Sequence, residues 1–469
     1  MRRCLLMVVC ACGAPSGGDQ SGGTTSAAGT EATPTTGSGE TGEPTGDCSA
    51  EALAGSAEVV YYVAIGEPGA SNTACDGLAP SDEGNGRCPF KDLTTPAVQG
   101  LLDGAKSTRM ELRAGTYVVS GWEGLRVTGI GASEAERVVL TAYAGEAVVL
   151  DVGSPDGALC AGPDPQALPE CVREVVRVSG QWTAVQGLTI RNGLAYNLEV
   201  TGGAHHLLRC NLFTETADFP MRSDSLKMDA GARDVGVFNN EFSRWRSQAI
   251  DMTEVYEVVV EGNEFHDPHD ADGGVTGCKF GASDVTIRGN VIHDLGSDPG
   301  TVVFSLGGTG SPHPEDAEAY RIRVEGNTVT GVQGKVAQFV GCQDCSFADN
   351  DASDVGAGVL LSAAATGLPE CEGGGAGCLA NSGARIAGNR FKGLNGGGDP
   401  ASADIFVVVE AGEELGLVAA DNVYCASVAD GHRFGWLGAL LGFTAWTMQS
   451  GTDATSRALV VEDAGCAGW

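Results

Sequence analysis

The sequence predicts an all-β chain wound as a parallel β-helix, a solenoid of short strands, and three observations carry that expectation. An apolar–x–x–Asn pattern recurs with asparagine at 211, 240, 263, 290, 327, 350, 389 and 422. The unequal intervals rule out a fixed-length repeat and suit coils whose strands stay constant while corner loops grow or shrink. Ahead of the first of these asparagines lie short, alternating apolar runs such as VVLTAY, VVRVSG and LTIRNG. Glycine supplies 71 of 469 residues and aromatics only 6%, which favours tight turns with positive φ over a helical fold.

The asparagines themselves read as scaffold. Side-chain amides at a turn can hydrogen-bond from coil to coil and tolerate left-handed backbone.

Residues 1–12, MRRCLLMVVCAC, pair two arginines with a short apolar run, the pattern of a secretory signal rather than a membrane span. No later segment approaches the roughly 20 apolar residues that cross a bilayer. Val9-Cys10-Ala11-Cys12 resembles a bacterial lipobox, which implies a lipid anchor at Cys12. Residues 13–47 are Gly, Ser, Thr, Pro and Ala with scattered acids and no Lys or Arg, a linker unable to bury a core. Residues 48–469 then form one β-helix domain. Within it, 59–120 is the N-terminal cap region, with a short amphipathic helix ending near Gly104, and 425–469 is the C-terminal cap. Caps are required because an uncovered coil end exposes unpaired backbone groups.

The formal charge is −33, from 61 acidic and 28 basic residues. Nucleic acid is excluded as a partner, because binding it needs a basic footprint. Sixteen cysteines point to an oxidising, extracytoplasmic compartment. The expected pairs are Cys75–Cys88, Cys160–Cys171, Cys342–Cys345, Cys371–Cys378 and Cys425–Cys466. No CxxC…CxxC array exists to hold structural zinc. A monomer is expected.

Three passes of one pattern stand out: SDSLKMDAGARDVGVFNNEF, SQAIDMTEVYEVVVEGNEFHD and TGCKFGASDVTIRGNVIHD. Asp229, Asp251 and Lys279 take matching slots eleven or twelve residues before Asn240, Asn263 and Asn290. Stacked coils would set these three side chains in one column. Arg222, Lys227, Arg244 and Arg246 add local positive charge in an acidic chain and are expected to bind an anionic substrate. His266, Asp267, His269, Asp270 and Asp272 either ligate a metal or form a solvated loop.

From residue 59 to about 460 the chain resembles secreted right-handed parallel β-helix proteins. VVYYVAIGEPG through AGTYVVSG is similar to their N-terminal cap, and FTAWTMQSGTDATS to their closing segment. SLGGTGSPHPEDAEAYRIRVEGNTVTGVQGKVAQFVGC resembles a group of bacterial β-helix proteins of unassigned activity. The site pattern is similar to polysaccharide lyases of family nine. There an Asp lies five residues ahead of a strand-end residue, an acidic cluster completes a Ca²⁺ site, and a Phe-Lys-Leu-Gly-Gly strand presents a lysine base. Asp224 stands five residues before Asp229, Asp251 matches the last acid of the cluster, and Lys279 in Cys-Lys-Phe-Gly matches the lysine. Ser247 and Gln248 replace the two leading acids. Alginate lyases of family six place an arginine one coil after their lysine, where this chain reads Phe304-Ser305-Leu306-Gly307-Gly308.

The resemblance implies β-elimination on a uronate, with Lys279 as base and Asp224, Asp229 and Asp251 around Ca²⁺. The expected function is interaction with an extracellular acidic polysaccharide, extending to Ca²⁺-dependent lyase activity. The alternative is a non-catalytic glycan-binding, adhesive or structural lipoprotein, with the charged column a ladder of ion pairs. Membrane contact would be through the Cys12 anchor only.

Overall fold

Alternation sets the architecture. In Leu226/Met228, Ile250/Met252 and Val235/Val237 every second side chain is 0–1% exposed, so each strand sends one row into a shared core and the other away from it. Three strands make a coil: Asp224–Asp229, Arg233–Phe238 and Glu241–Ser243, followed one coil later by Gln248–Thr253, Tyr256–Glu261 and Glu264–His266. We call these the first, second and third faces. Each strand pairs in parallel with its counterparts on neighbouring coils. The molecule is thus a right-handed parallel β-helix, the hand that parallel crossovers take. This computed structural model describes residues 48–466 except 50–56, 58, 105–106, 154–159, 161–164, 218–222, 270–273, 309–316, 364–378, 395–403, 428–432, 461–462 and 464. All of these described residues lie in one compact unit, Gly46–Trp469. The expected signal, the linker and the Cys12 anchor fall outside them.

The core stacks like on like. Phe213, Phe242 and Phe265 lie ring over ring with centroids 4.8 Å apart, the spacing of the strands that carry them. At the corner between the second and third faces runs the asparagine ladder. From Asn211 to Asn422 each Nδ2 donates to the Oδ1 of the next ladder asparagine at 2.9–3.1 Å. The backbone N–H donates to that same oxygen. All eight side chains are 0–2% exposed, so the ladder satisfies a buried corner that would otherwise be left with orphan donors.

Both ends are closed. A helix at Pro96–Leu102 buries Val98 and Leu102 against the first coils. At the other end the chain turns into a helix at Phe443–Ser450 with Trp446 buried. Asp453 follows, fully buried, and terminates the ladder. Its Oδ1 accepts from Asn422 Nδ2 (3.3 Å), and its Oδ2 from Tyr424 Oη (2.8 Å) and Trp446 Nε1 (2.9 Å). Thr452, Thr455 and Ser456 hydroxyls take the free N–H groups of Ala419, Asp421 and Asn422, which blunts the last sheet edge.

Disulfides join Cys75–Cys88, Cys160–Cys171, Cys342–Cys345 and Cys425–Cys466. The expected Cys371–Cys378 pair lies outside the described residues. A fifth bond, Cys48–Cys210, spans 162 residues and was not expected. Cys278 is free and buried. Among the described residues no helix is long and apolar enough to cross a membrane.

Candidate functional site

On the first face the core takes Leu226, Met228, Ile250, Met252, Thr276 and Cys278. The alternate positions, Lys227, Asp229, Asp251, Thr253, Gly277 and Lys279, therefore face outward. Register sorts them into two rows. One row reads Arg126, Arg177, Glu199, Lys227, Asp251, Gly277, Ser305, Gln338 and Leu360. The second pairs Thr201 with Asp229 and Thr253 with Lys279.

The expected single column of Asp229, Asp251 and Lys279 does not form. Asp251 stands opposite Lys227, and Thr253 holds the slot beside Lys279. The cause is one corner residue. Between Asp229 and Arg233 the chain turns through three residues, but between Thr253 and Tyr256 through only two. Counting back from the asparagine therefore overshoots by one on that coil, and the nearest acid lies on the neighbouring row.

Asp251 is the centre of the charge network. Lys227 Nζ lies 2.6 Å from its Oδ2 and 2.6 Å from Thr253 Oγ1. Lys279 Nζ lies 2.8 Å from Oδ1 as an ion-pair contact. Two ammonium groups thus share one carboxylate. Asp224 is buried, and its Oδ1 accepts from the Gln248 backbone N–H at 3.0 Å. Burial, reinforced by the charge of Asp251, pushes its carboxyl up to about 7. Two coils earlier Glu174 is likewise pushed up to about 7 by burial and then by Glu199. Arg173 binds Glu199 at 2.9 Å and lies 5.0 Å over the Tyr196 ring.

Glu318 was not singled out by the sequence, which shows it only as part of an irregular stretch. The structure places it in the corner stack: its backbone N–H donates to Gly341 O and its own carbonyl accepts from Gly281 N–H. The side chain is fully buried, with Oε2 accepting from the Phe280 N–H at 3.2 Å and Oε1 unpartnered. Burial raises its carboxyl, against a lowering pull from Lys279.

The proposed ligand set for Ca²⁺ does not converge. Asp224 is engaged by Gln248, Asp251 by two lysines, and Asp229 keeps a buried unpartnered Oδ1 on the other row. Among the described residues no three His, Cys, Asp or Glu side chains stand where they could hold a metal ion. Asp224, Asp229 and Asp251 as described do not fit a shared calcium ion, and no step below runs through one.

Of the basic residues expected to bind substrate, Lys227 lies on the first face. Arg244 pairs with Glu215 at the corner after the third face. Arg246 donates to Thr216 O and lies 3.1 Å from His269 Nε2. Arg222 is outside the described residues, as are Asp270 and Asp272. His266 belongs to a third-face strand, stacked 5.2 Å from His293 and bonded to Glu241 and Asp267.

Residues 174–399 match the family model described as right handed beta helix region. Among solved structures the chain is similar to pectate lyase Pel9A, at 12% identity over 78% of this chain and 80% of that one, with a TM-score of 0.40. It is similar to the Dettilon tailspike protein at 13% identity and TM-score 0.39, covering 68% of this chain but only 60% of the tailspike. PfbA, a surface adhesin of Streptococcus pneumoniae, matches at 9% identity and TM-score 0.35, over 74% of this chain and 91% of the adhesin. No curated protein matches the chain.

Proposed function

We propose, for a chain whose residues 174–399 are a right-handed β-helix region, that the first face binds an extended, carboxylate-bearing extracellular glycan. The observation that carries this reading is the pair of ammonium groups on one carboxylate: Lys227 and Lys279 both meet Asp251. One cationic charge is left over at that contact, in a protein of net charge −33. The outward row supports it. A linear ligand lying across the strands would meet a new side chain every ~4.8 Å, one per coil. From Glu199 to Gln338 those side chains are polar or absent.

Eliminative cleavage is the catalytic form of the same reading. Lys279 would take the proton next to the uronate carboxylate, which requires a neutral amine. Its Nζ lies 2.8 Å from Asp251 Oδ1, so the ligand carboxylate would have to displace Lys279 from Asp251 first. Binding without cleavage is the reading the geometry supports best. It fits an extracytoplasmic protein with disulfides and, by its Val9–Cys12 pattern, a lipid anchor.

Affinity electrophoresis through pectate, alginate, glycosaminoglycan and neutral glucan gels tests the binding. Retardation by a polyuronate, lost in Lys227→Met/Lys279→Met and absent with the neutral glucan, is the expected result. Equal migration in every gel would end the reading. Absorbance near 235 nm in the same mixtures, with and without Ca²⁺ and beside Lys279→Ala, separates cleavage from binding. A rise that needs both Ca²⁺ and Lys279 would restore the calcium lyase.

A further inference from the structure

We infer that the Cys48–Cys210 disulfide is a mechanical clasp that delivers tension from the N-terminal segment directly to the coils of the first-face site. Cys210 sits at the corner between Ala204–Arg209 and Leu212–Thr214, beside Asn211 at the first rung of the asparagine ladder. The next first-face strand in the chain is Asp224–Asp229, the strand of Lys227. The bond closes a loop of 162 residues around the helical cap and the early coils.

Without the bond, tension on the N-terminus would first reach Val59–Val63. That strand ends the second-face sheet: it pairs along its length only with Thr108–Leu112, and its other side is held by no strand, only by a bridge to Phe90 and a bond to Gly77 O. Such an edge peels one strand at a time. Through the bond, the same tension arrives four strands further in, about 19 Å along the axis at the usual strand spacing. There Ala204–Arg209 is paired on both sides, with Gln181–Gln186 and Arg233–Phe238. A coil gripped on both sides must break two sets of ladder bonds together before it leaves the stack. The cap and early coils inside the loop carry no load.

The clasp is also the most reachable of the described disulfides. Cys48 is exposed and Cys210 half-buried, whereas the cysteines of Cys160–Cys171, Cys342–Cys345 and Cys425–Cys466 are at most 1% exposed. A mild reductant opens the clasp ahead of these.

Single-molecule force spectroscopy on the chain from residue 13, with handles at residues 13 and 469, tests this without any ligand, so its outcome is independent of the glycan reading. The clasped chain should show no low-force steps before its first rupture. Its final contour length should be shorter by roughly 50 nm than that of the unclasped chain, at about 3.4 Å per residue. After a brief reductant pulse on the same molecule, or in Cys48→Ser/Cys210→Ser, low-force steps should appear first and the missing length return. The pulse on the native chain keeps the test valid should the double variant fold poorly. Equal contour lengths, or low-force steps in the clasped chain, would overturn the inference.

Discussion

Lys227 stands directly opposite Asp251 on the next coil, and their charged groups meet at 2.6 Å with both side chains about nine-tenths shielded from water. Lys279 closes on the other oxygen from the far side. Breaking a buried pair by removing one partner costs about 3–5 kcal/mol, because the remaining charge is left uncompensated. Asp251→Asn strands two ammonium groups and should lose stability in that range. Lys279→Met leaves Asp251 still paired and should lose about 1 kcal/mol or less. Urea unfolding of the two variants checks the difference; equal losses would show that Asp251 is not shared.

Acid and base groups in the wall give opposite pH slopes. Asp224 and Glu174 have folded pKa values raised to about 7, above their unfolded values. The folded state holds these protons more tightly, so their contribution is most favourable below the unfolded pKa and is lost as pH rises towards 7. Asp224→Asn keeps an oxygen for the Gln248 N–H. It should melt like the parent at pH 4 and several degrees higher at pH 8. A gain as large at pH 4 would sink this assignment.

His206 runs the other way. It is buried between the Thr183 hydroxyl at Nδ1 (2.7 Å) and the Gly202 carbonyl at Nε2 (3.0 Å), and burial lowers its pKa to about 4. The neutral ring is stabilising above the unfolded pKa, and that stability is lost as pH falls from about 6.5 towards 4. In His206→Gln the melting curve between pH 4 and 6.5 should be flatter than the parent's. Parallel curves would contradict a neutral His206.

Asp453 gathers the last rung of the ladder and two aromatic donors onto one buried carboxylate. Asp453→Ala removes the acceptor shared by Asn422, Tyr424 and Trp446, a loss of about 1–3 kcal/mol or more in a buried site. Loss of the closing helix should come first, seen as early hydrogen exchange at Phe443–Ser450. Exchange there unchanged from the parent would show that the carboxylate does not hold the end.

A mid-ladder change differs in kind. Asn263→Ala removes the oxygen that receives both Asn240 donors and the amide that reaches Asn290, Val237 and Glu261. The expected loss is about 2–4 kcal/mol with no shift in the order of unfolding. A loss under about 1 kcal/mol would show that water replaces the rung.

The sequence displays what repeats locally and hides what depends on a corner or on distance. All eight ladder asparagines were legible because the amide must recur wherever the buried corner recurs. Four short-range disulfides were legible for the same reason, each closing a local loop. The row of Asp251 was not, because a corner shortened by one residue shifts the count without altering the strand pattern. Glu318 was hidden in an irregular stretch, since burial of a carboxylate leaves no periodic mark. Cys48 and Cys210 gave no signal at all: a bond across 162 residues depends on the whole stack between them.

Successive ladder asparagines are separated by anything from 23 to 39 residues, yet their amide bonds all fall within 2.9–3.1 Å. Pitch and chain length are therefore decoupled. Chain added between two asparagines leaves the axial rise per turn unchanged, so inserts of very different size can be hung on neighbouring turns without dephasing the outward rows. The molecule keeps a constant axial gauge while the amount of chain carried on each graduation is free to vary.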